Sequence, residues 1–265
     1  MSDLLGARLK VERAKQHIAD LSVEKTSFLA TDPYCTTPEY YPEHDFTVYY
    51  LDKFTAVPAR IALIAGDAAH NLRSALDLLA STLVGRGPGR NKRGHTYFPI
   101  RETAAKYQAD APGMVEGMLP SDIQRIDGFK PYGGGNDQLW GLHRLDIIDK
   151  HCLLPTPVIA VNRIGIQLST EFVERAFLGH IRFSDPDAIP KQTRWYDIPN
   201  ALSASKQGDP VLSVKGNREH HQDVEVTFDI ALGEPDVFKG KPILATLEEL
   251  AALVSDIAES FDLSS

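Results

Sequence analysis

From Ala59 to Val84 the apolar side chains Ile61, Ile64, Ala68, Leu72, Leu76, Leu79 and Leu83 recur three or four residues apart, which predicts a long helix with one stripe against a core. Pro58 stands where such a helix begins. A looser repeat of the same period, Leu5, Leu9, Ala14, Ile18, Leu21 and Phe28, predicts an amphipathic helix over residues 3–30 that packs on it. Between the two, Asp32-Pro33 and Thr37-Pro38 predict a loop, and the β-branched and aromatic run from Asp45 to Phe54 predicts a strand. Further on, the pattern gives an extended piece at Tyr97–Ile100, short helices near residues 102–109 and 120–126, and a turn over Pro131–Asp137. That turn feeds a second core helix, Asp137 to about Leu153, which Pro155 stops.

Beyond Pro155 the period changes from helical to alternating. Residues 158–183 and 211–232 carry Val, Ile, Phe and Thr in alternation with polar residues, broken by Pro, Gly and Asp clusters, as antiparallel strands do. A last helix, Leu247–Phe261, closes the chain. The expected fold is therefore α+β: a helical core over residues 3–153, with two principal buried helices, the N-terminal helix and one early strand, then a C-terminal antiparallel sheet capped by the closing helix. The composition shift divides the chain into residues 1–155 and 156–265. At 265 residues, near the upper size for one core, the two are expected to form one compact unit.

Composition narrows the class. With 43% hydrophobic and 24% charged residues the chain is an ordinary globular sequence, neither disordered nor fibrous. A formal net charge of −8 gives a field that repels polyanions as a whole. The densest basic stretch, Arg86, Arg90, Lys92 and Arg93, is interleaved with Gly85, Gly87, Pro88 and Gly89 and reads first as a connector. Cys35 and Cys152 lie far apart without a CxxC partner, so neither a disulfide framework nor a cysteine zinc site is predicted, and a reducing compartment fits. No basic start with an apolar run opens the chain, and Asp67, His70, Asn71, Arg73 and Asp77 make the most apolar helix too polar for lipid. The expectation is a cytoplasmic protein with no membrane partner and no cofactor.

Candidate chemistry sits on the two core helices. At 100 degrees per residue His70, Arg73, Ser74 and Asp77 fall opposite the Leu/Ile stripe, and this face holds imidazole, guanidinium and carboxylate groups where a solvated face would carry Lys and Glu. Arg73 and Asp77 are spaced to pair. On the second helix His143, Asp146 and Lys150 share one face and Arg144 and His151 the next, with Leu142, Leu145, Ile148 and Cys152 towards the core. If the polar faces meet, they form a composite site. His70, Arg73, Arg144 and His151 are then candidates for proton transfer and charge stabilisation, and Asp77, His143, Asp146, Asp149 and Lys150 for ligand contact. The competing reading of the same residues is an interhelical salt-bridge network without chemistry. His220-His221 with Asp223 and Glu225 makes a poor metal site because adjacent side chains diverge, and no metal is assigned. Gly133-Gly134-Gly135 before a helix is a turn first and an anion seat second.

The strings GDAAHNLRSALDLLASTLV and LHRLDIIDKHCLL, some sixty residues apart, resemble a widespread group of uncharacterised bacterial proteins marked by an HNLRSALDH helix and a downstream LHxxxxxDKHR helix. An Arg, four residues and a His on a core helix also resembles the signature of HEPN domains, helical modules that include many ribonucleases. That resemblance implies a homodimer and metal-independent RNA cleavage at its seam. The chain departs from the pattern where the His would fall, at Leu78; Arg144 and His151, six residues apart, make a looser version. Two functions are thus expected in competition. One is a HEPN-like, RNA-directed protein or ribonuclease; the other is a non-catalytic binding or regulatory protein that recognises a small anionic ligand or a partner chain through the His/Arg/Asp cluster.

Overall fold

A computed structural model describes residues 4–88, 96–151, 158–167, 193–197, 203–204, 206–215 and 224–262. Its elements run α1 (Leu5–Leu29), β1 (Tyr34–Tyr41), β2 (Phe46–Phe54), α2 (Ala59–Arg86), α3 (Ala104–Met114), α4 (Pro120–Gly128), α5 (Asp137–His151), β3 (Val158–Gln167), β4 (Thr193–Asp197), β5 (Ser203–Ala204), β6 (Pro210–Lys215), β7 (Val224–Ala231) and α6 (Ile243–Ser260). The protein is a mixed helix and sheet fold. Arg90, Lys92 and Arg93, the strand expected over HIRF (residues 180–183), and the His220-His221-Asp223 cluster lie outside the described residues.

Helix α2 is the centre of the core. It is buried along two sides, with Leu72, Leu76, Leu79 and Leu83 fully covered and Ala65, Ala68, Ala69 and Ala75 equally so, because α1, α5 and α6 all pack on it. Lys10 Nζ donates to Asn71 Oδ1 (3.1 Å) and Arg60 meets Glu24, so α1 runs antiparallel to α2. The face α1 buries is the expected one at Ala14, Ile18, Leu21 and Phe28 and departs from it in the first two turns, where Ala7 and Val11 take the places expected of Leu5 and Leu9. Leu4, Ala7, Val11, Ala14, Ile18 and Leu21 are covered, whereas Leu9 is 61% exposed. Close helix packing selects the alanines, and the larger leucines one position away are left at the rim.

Two further expectations are corrected. In place of one early strand there is an antiparallel hairpin, β1–β2, in which Pro38 stands opposite Tyr49. Strand β1 is an edge strand, where a missing N–H costs no ladder bond, so Pro38 does not break it. The last helix, rather than capping a C-terminal sheet, joins the helical core against α1 and α2 through Leu247, Leu250, Val254 and Ile257. Each such burial contributes roughly 1.5–3 kcal/mol before entropy is counted. The sheet also crosses the composition boundary, since β6 pairs with β2 to give the order β1-β2-β6. In a second set of pairings β3 carries β7 on one edge and β4 and β5 on the other, all antiparallel. The shift at residue 155 is therefore one of composition and not a break in packing.

Helix α5 is placed by its ends and by one glycine. Asn136 Oδ1 accepts from Leu139 N (3.0 Å) and caps it. The three glycine N–H groups before it donate to Arg101 O, Asp137 Oδ1 and Tyr132 O, so all are spent within the turn and none is free for an anion. At Gly141 a Cβ would lie 2.4 Å from the Phe238 ring, so only glycine lets the 233–241 loop dock here. Among the described residues no helix is long and apolar enough to cross a membrane.

Candidate functional site

The polar faces of α2 and α5 meet along a seam with two levels. At the inner level lies Arg73, only 5% exposed. Its Nη2 donates to Phe98 O (3.0 Å) and its Nε to His143 Nδ1 (3.4 Å). Its Nη1 lies 2.7 Å from Asp77 Oδ1, but the N–H vectors miss that oxygen, so the contact is ionic and not a hydrogen bond. The same Asp77 oxygen accepts from Phe98 N (2.9 Å), which pins the extended 96–100 segment across the seam. Burial lowers the Arg73 pKa, and the carboxylates of Asp77 and Asp146 partly offset that. Burial likewise raises Asp77, against the pull of Arg73. His143 is pushed down to about 4, first by burial and then by the Arg73 charge, and is a neutral ring that accepts at Nδ1.

The outer level, one turn towards the N-terminus of α2, is built differently. His70 Nδ1 lies 2.8 Å from Asp146 Oδ1; the ring is 45% exposed and the carboxylate 4%. A carboxylate can only accept, so Nδ1 carries a proton, and in the tautomer this selects Nε2 is the acceptor. Asp146 Oδ2 accepts from Lys150 Nζ (2.6 Å), and that ammonium is half-exposed. Ser74 Oγ lies 3.4 Å from His70 Nε2. Asp149 is raised by burial and then by Asp67 and Asp146, while His70 and Lys150 pull it down. A carboxyl whose affinity for its proton is raised thus lies within the field of the His70 imidazole.

The other candidates go elsewhere. Arg144 leaves the seam on the opposite flank of α5 and lies over the Trp140 ring at 5.8 Å, within a cleft of ≈470 Å³ that Glu102, Ile148, Glu234, Asp236 and Lys239 also line. His151 is the last residue of α5, and its side chain lies outside the described residues. Leu78, at the position of the HEPN histidine, is 40% exposed. No family model, curated protein or solved structure matches the chain. The site must be read from its own geometry.

Read that way, the seam unites His70, Asp146, Lys150 and Asp149 at the outer level and Arg73, Asp77 and His143 at the inner one, and it excludes Arg144. Ser74, on the polar face of α2 but without a role assigned from the sequence, joins the outer level through His70. Its signal in the sequence is the i, i+4 spacing from His70, which puts both on one helix face. Among the described residues no group of three or more His, Cys, Asp or Glu side chains has metal-binding geometry.

Proposed function

We propose that the chain is a hydrolase working through side-chain acid–base chemistry, with His70 as general base and Asp146 as the residue that positions it. The observation that carries this is the 2.8 Å contact between a half-exposed imidazole and a buried carboxylate. Such a carboxylate holds the ring in one tautomer and stabilises the imidazolium that forms when Nε2 takes a proton. The same imidazolium is the group able to return that proton to a leaving group.

RNA is the substrate the HEPN resemblance implies, yet Arg73 is spent on Asp77, Phe98 and His143 and offers no phosphate contact. Asp67, Asp77, Asp146 and Asp149 gather at the seam against Arg73 and Lys150, while the nearby Arg101 is paired to Asp110. This balance opposes a polyanion and suits an uncharged or cationic ester or amide. Single-stranded RNA and p-nitrophenyl acetate, each incubated with the protein in EDTA, separate the two. The expected result is ester hydrolysis that His70→Ala abolishes, with RNA intact. RNA cleavage dependent on His70 would move the substrate to RNA, and equal rates for wild type and His70→Ala on both would end the hydrolase reading.

A further inference from the structure

A serine or threonine inside a helix can return its hydroxyl to the carbonyl four residues back, as two side chains among the described residues do: Thr82 Oγ1 donates to Leu78 O (3.0 Å) and Thr246 Oγ1 to Pro242 O (2.8 Å). Ser74 has no such bond. The described partner of its hydroxyl is His70 Nε2 at 3.4 Å, the acceptor nitrogen left over once Nδ1 is committed to Asp146. Hydroxyl, imidazole and buried carboxylate therefore stand in line, with the hydroxyl half-buried and the ring open to solvent. The 3.4 Å separation is long for a hydrogen bond and short enough to close when substrate excludes water.

We infer that Ser74 is a nucleophile that is acylated by an uncharged carboxylic ester, with His70 taking its proton. As Oγ adds to the carbonyl carbon, the hydroxyl proton passes to Nε2 and the carbonyl oxygen gains the negative charge. The imidazolium gives that proton to the alkoxide as the ester C–O bond breaks, and the alcohol leaves with Ser74 acylated. Water then repeats the sequence: it loses its proton to His70, adds to the acyl carbon, and Ser74 Oγ leaves and recovers the proton, releasing a carboxylic acid. Lys150 donates to the other oxygen of Asp146 and so fixes the carboxylate that orients His70.

The inference rests on the hydrolase reading, and its experiment tells the two apart. Stopped-flow with p-nitrophenyl acetate should show a burst of nitrophenolate equal to the protein concentration, and acid-quenched protein should carry acetyl on Ser74. Ser74→Ala should remove burst and adduct and slow turnover by about 10²-fold or more, with its thermal unfolding unchanged. Hydrolysis that needs His70 yet shows no burst and survives Ser74→Ala would overturn the nucleophile and leave the base in place. Acetyl on Lys150 with Ser74 unmodified would overturn it too. Loss of any dependence on His70 would remove both.

Discussion

The two levels of the α2–α5 seam use the same residue types and differ in what surrounds them. At the inner level Arg73, Asp77 and His143 lie against the 96–100 segment, and Arg73 Nε, Arg73 Nη2 and Asp77 Oδ1 are each committed to a protein partner. At the outer level His70, Ser74 and Lys150 surround a buried carboxylate while their working atoms reach solvent. One helical turn thus divides a structural pair from a chemical one. A buried charge is costly to unpair, and an exposed one is cheap to move, so the levels should respond to mutation in opposite ways.

The largest expected effect falls on the inner level. Arg73→Ala leaves Asp77 and the Phe98 carbonyl without their cation and should cost about 3–5 kcal/mol of stability. Arg86→Ala, which loses the bond to Phe261 O at the surface end of α2, should cost under about 1.5 kcal/mol. Denaturant unfolding of both compares them directly; similar shifts would erase the distinction between levels.

Next comes the positioning residue. Asp146→Asn keeps the shape but can hold the wrong tautomer of His70, so kcat for ester hydrolysis should fall by about 10²-fold or more at nearly constant KM. A residue that only held the helices together would instead change the melting temperature and leave kcat per folded molecule intact.

A smaller effect reports on His143. The unfolded chain binds a proton there near pH 6.5, whereas the folded ring resists until about pH 4. Protonation then favours the unfolded state, so this contribution is full above pH 6.5 and is lost as pH falls towards 4. Allowing for the partial exposure of the ring, it amounts to on the order of 2 kcal/mol. Asn retains an acceptor near the Nδ1 position, so His143→Asn should flatten the stability profile between pH 6.5 and 4. An unchanged slope would mean the ring titrates freely.

Much of this arrangement is legible in the sequence, and what is not has physical causes. The α2 and α5 helices follow from periodicity because both bury a stripe of large aliphatic residues. Strand β1 was hidden by Pro33 and Pro38, since an edge strand tolerates what a central strand does not. Only the first two turns of the α1 face were hidden, because Ala7 and Val11 pack where Leu5 and Leu9 do not, and side-chain size alone points to the leucines. At the site, periodicity puts His70 and Asp146 on polar faces, but the relative height of two helices 76 residues apart is set by packing around them. The same holds for Arg144, whose turn towards Trp140 is an i, i−4 contact open to sequence reasoning, while the cleft they line needs the 233–241 loop seated on Gly141. Ser74 stays hidden because an i, i+4 His–Ser pair is common, and only Asp146 behind the ring gives it meaning.

The division of the seam is tested most directly by the rate of p-nitrophenyl acetate hydrolysis per folded molecule in His70→Ala and His143→Ala, measured side by side. The expected result is that the folded fraction of His70→Ala has lost the activity, while the folded fraction of His143→Ala still turns over. Activity retained in His70→Ala and lost in His143→Ala would contradict it.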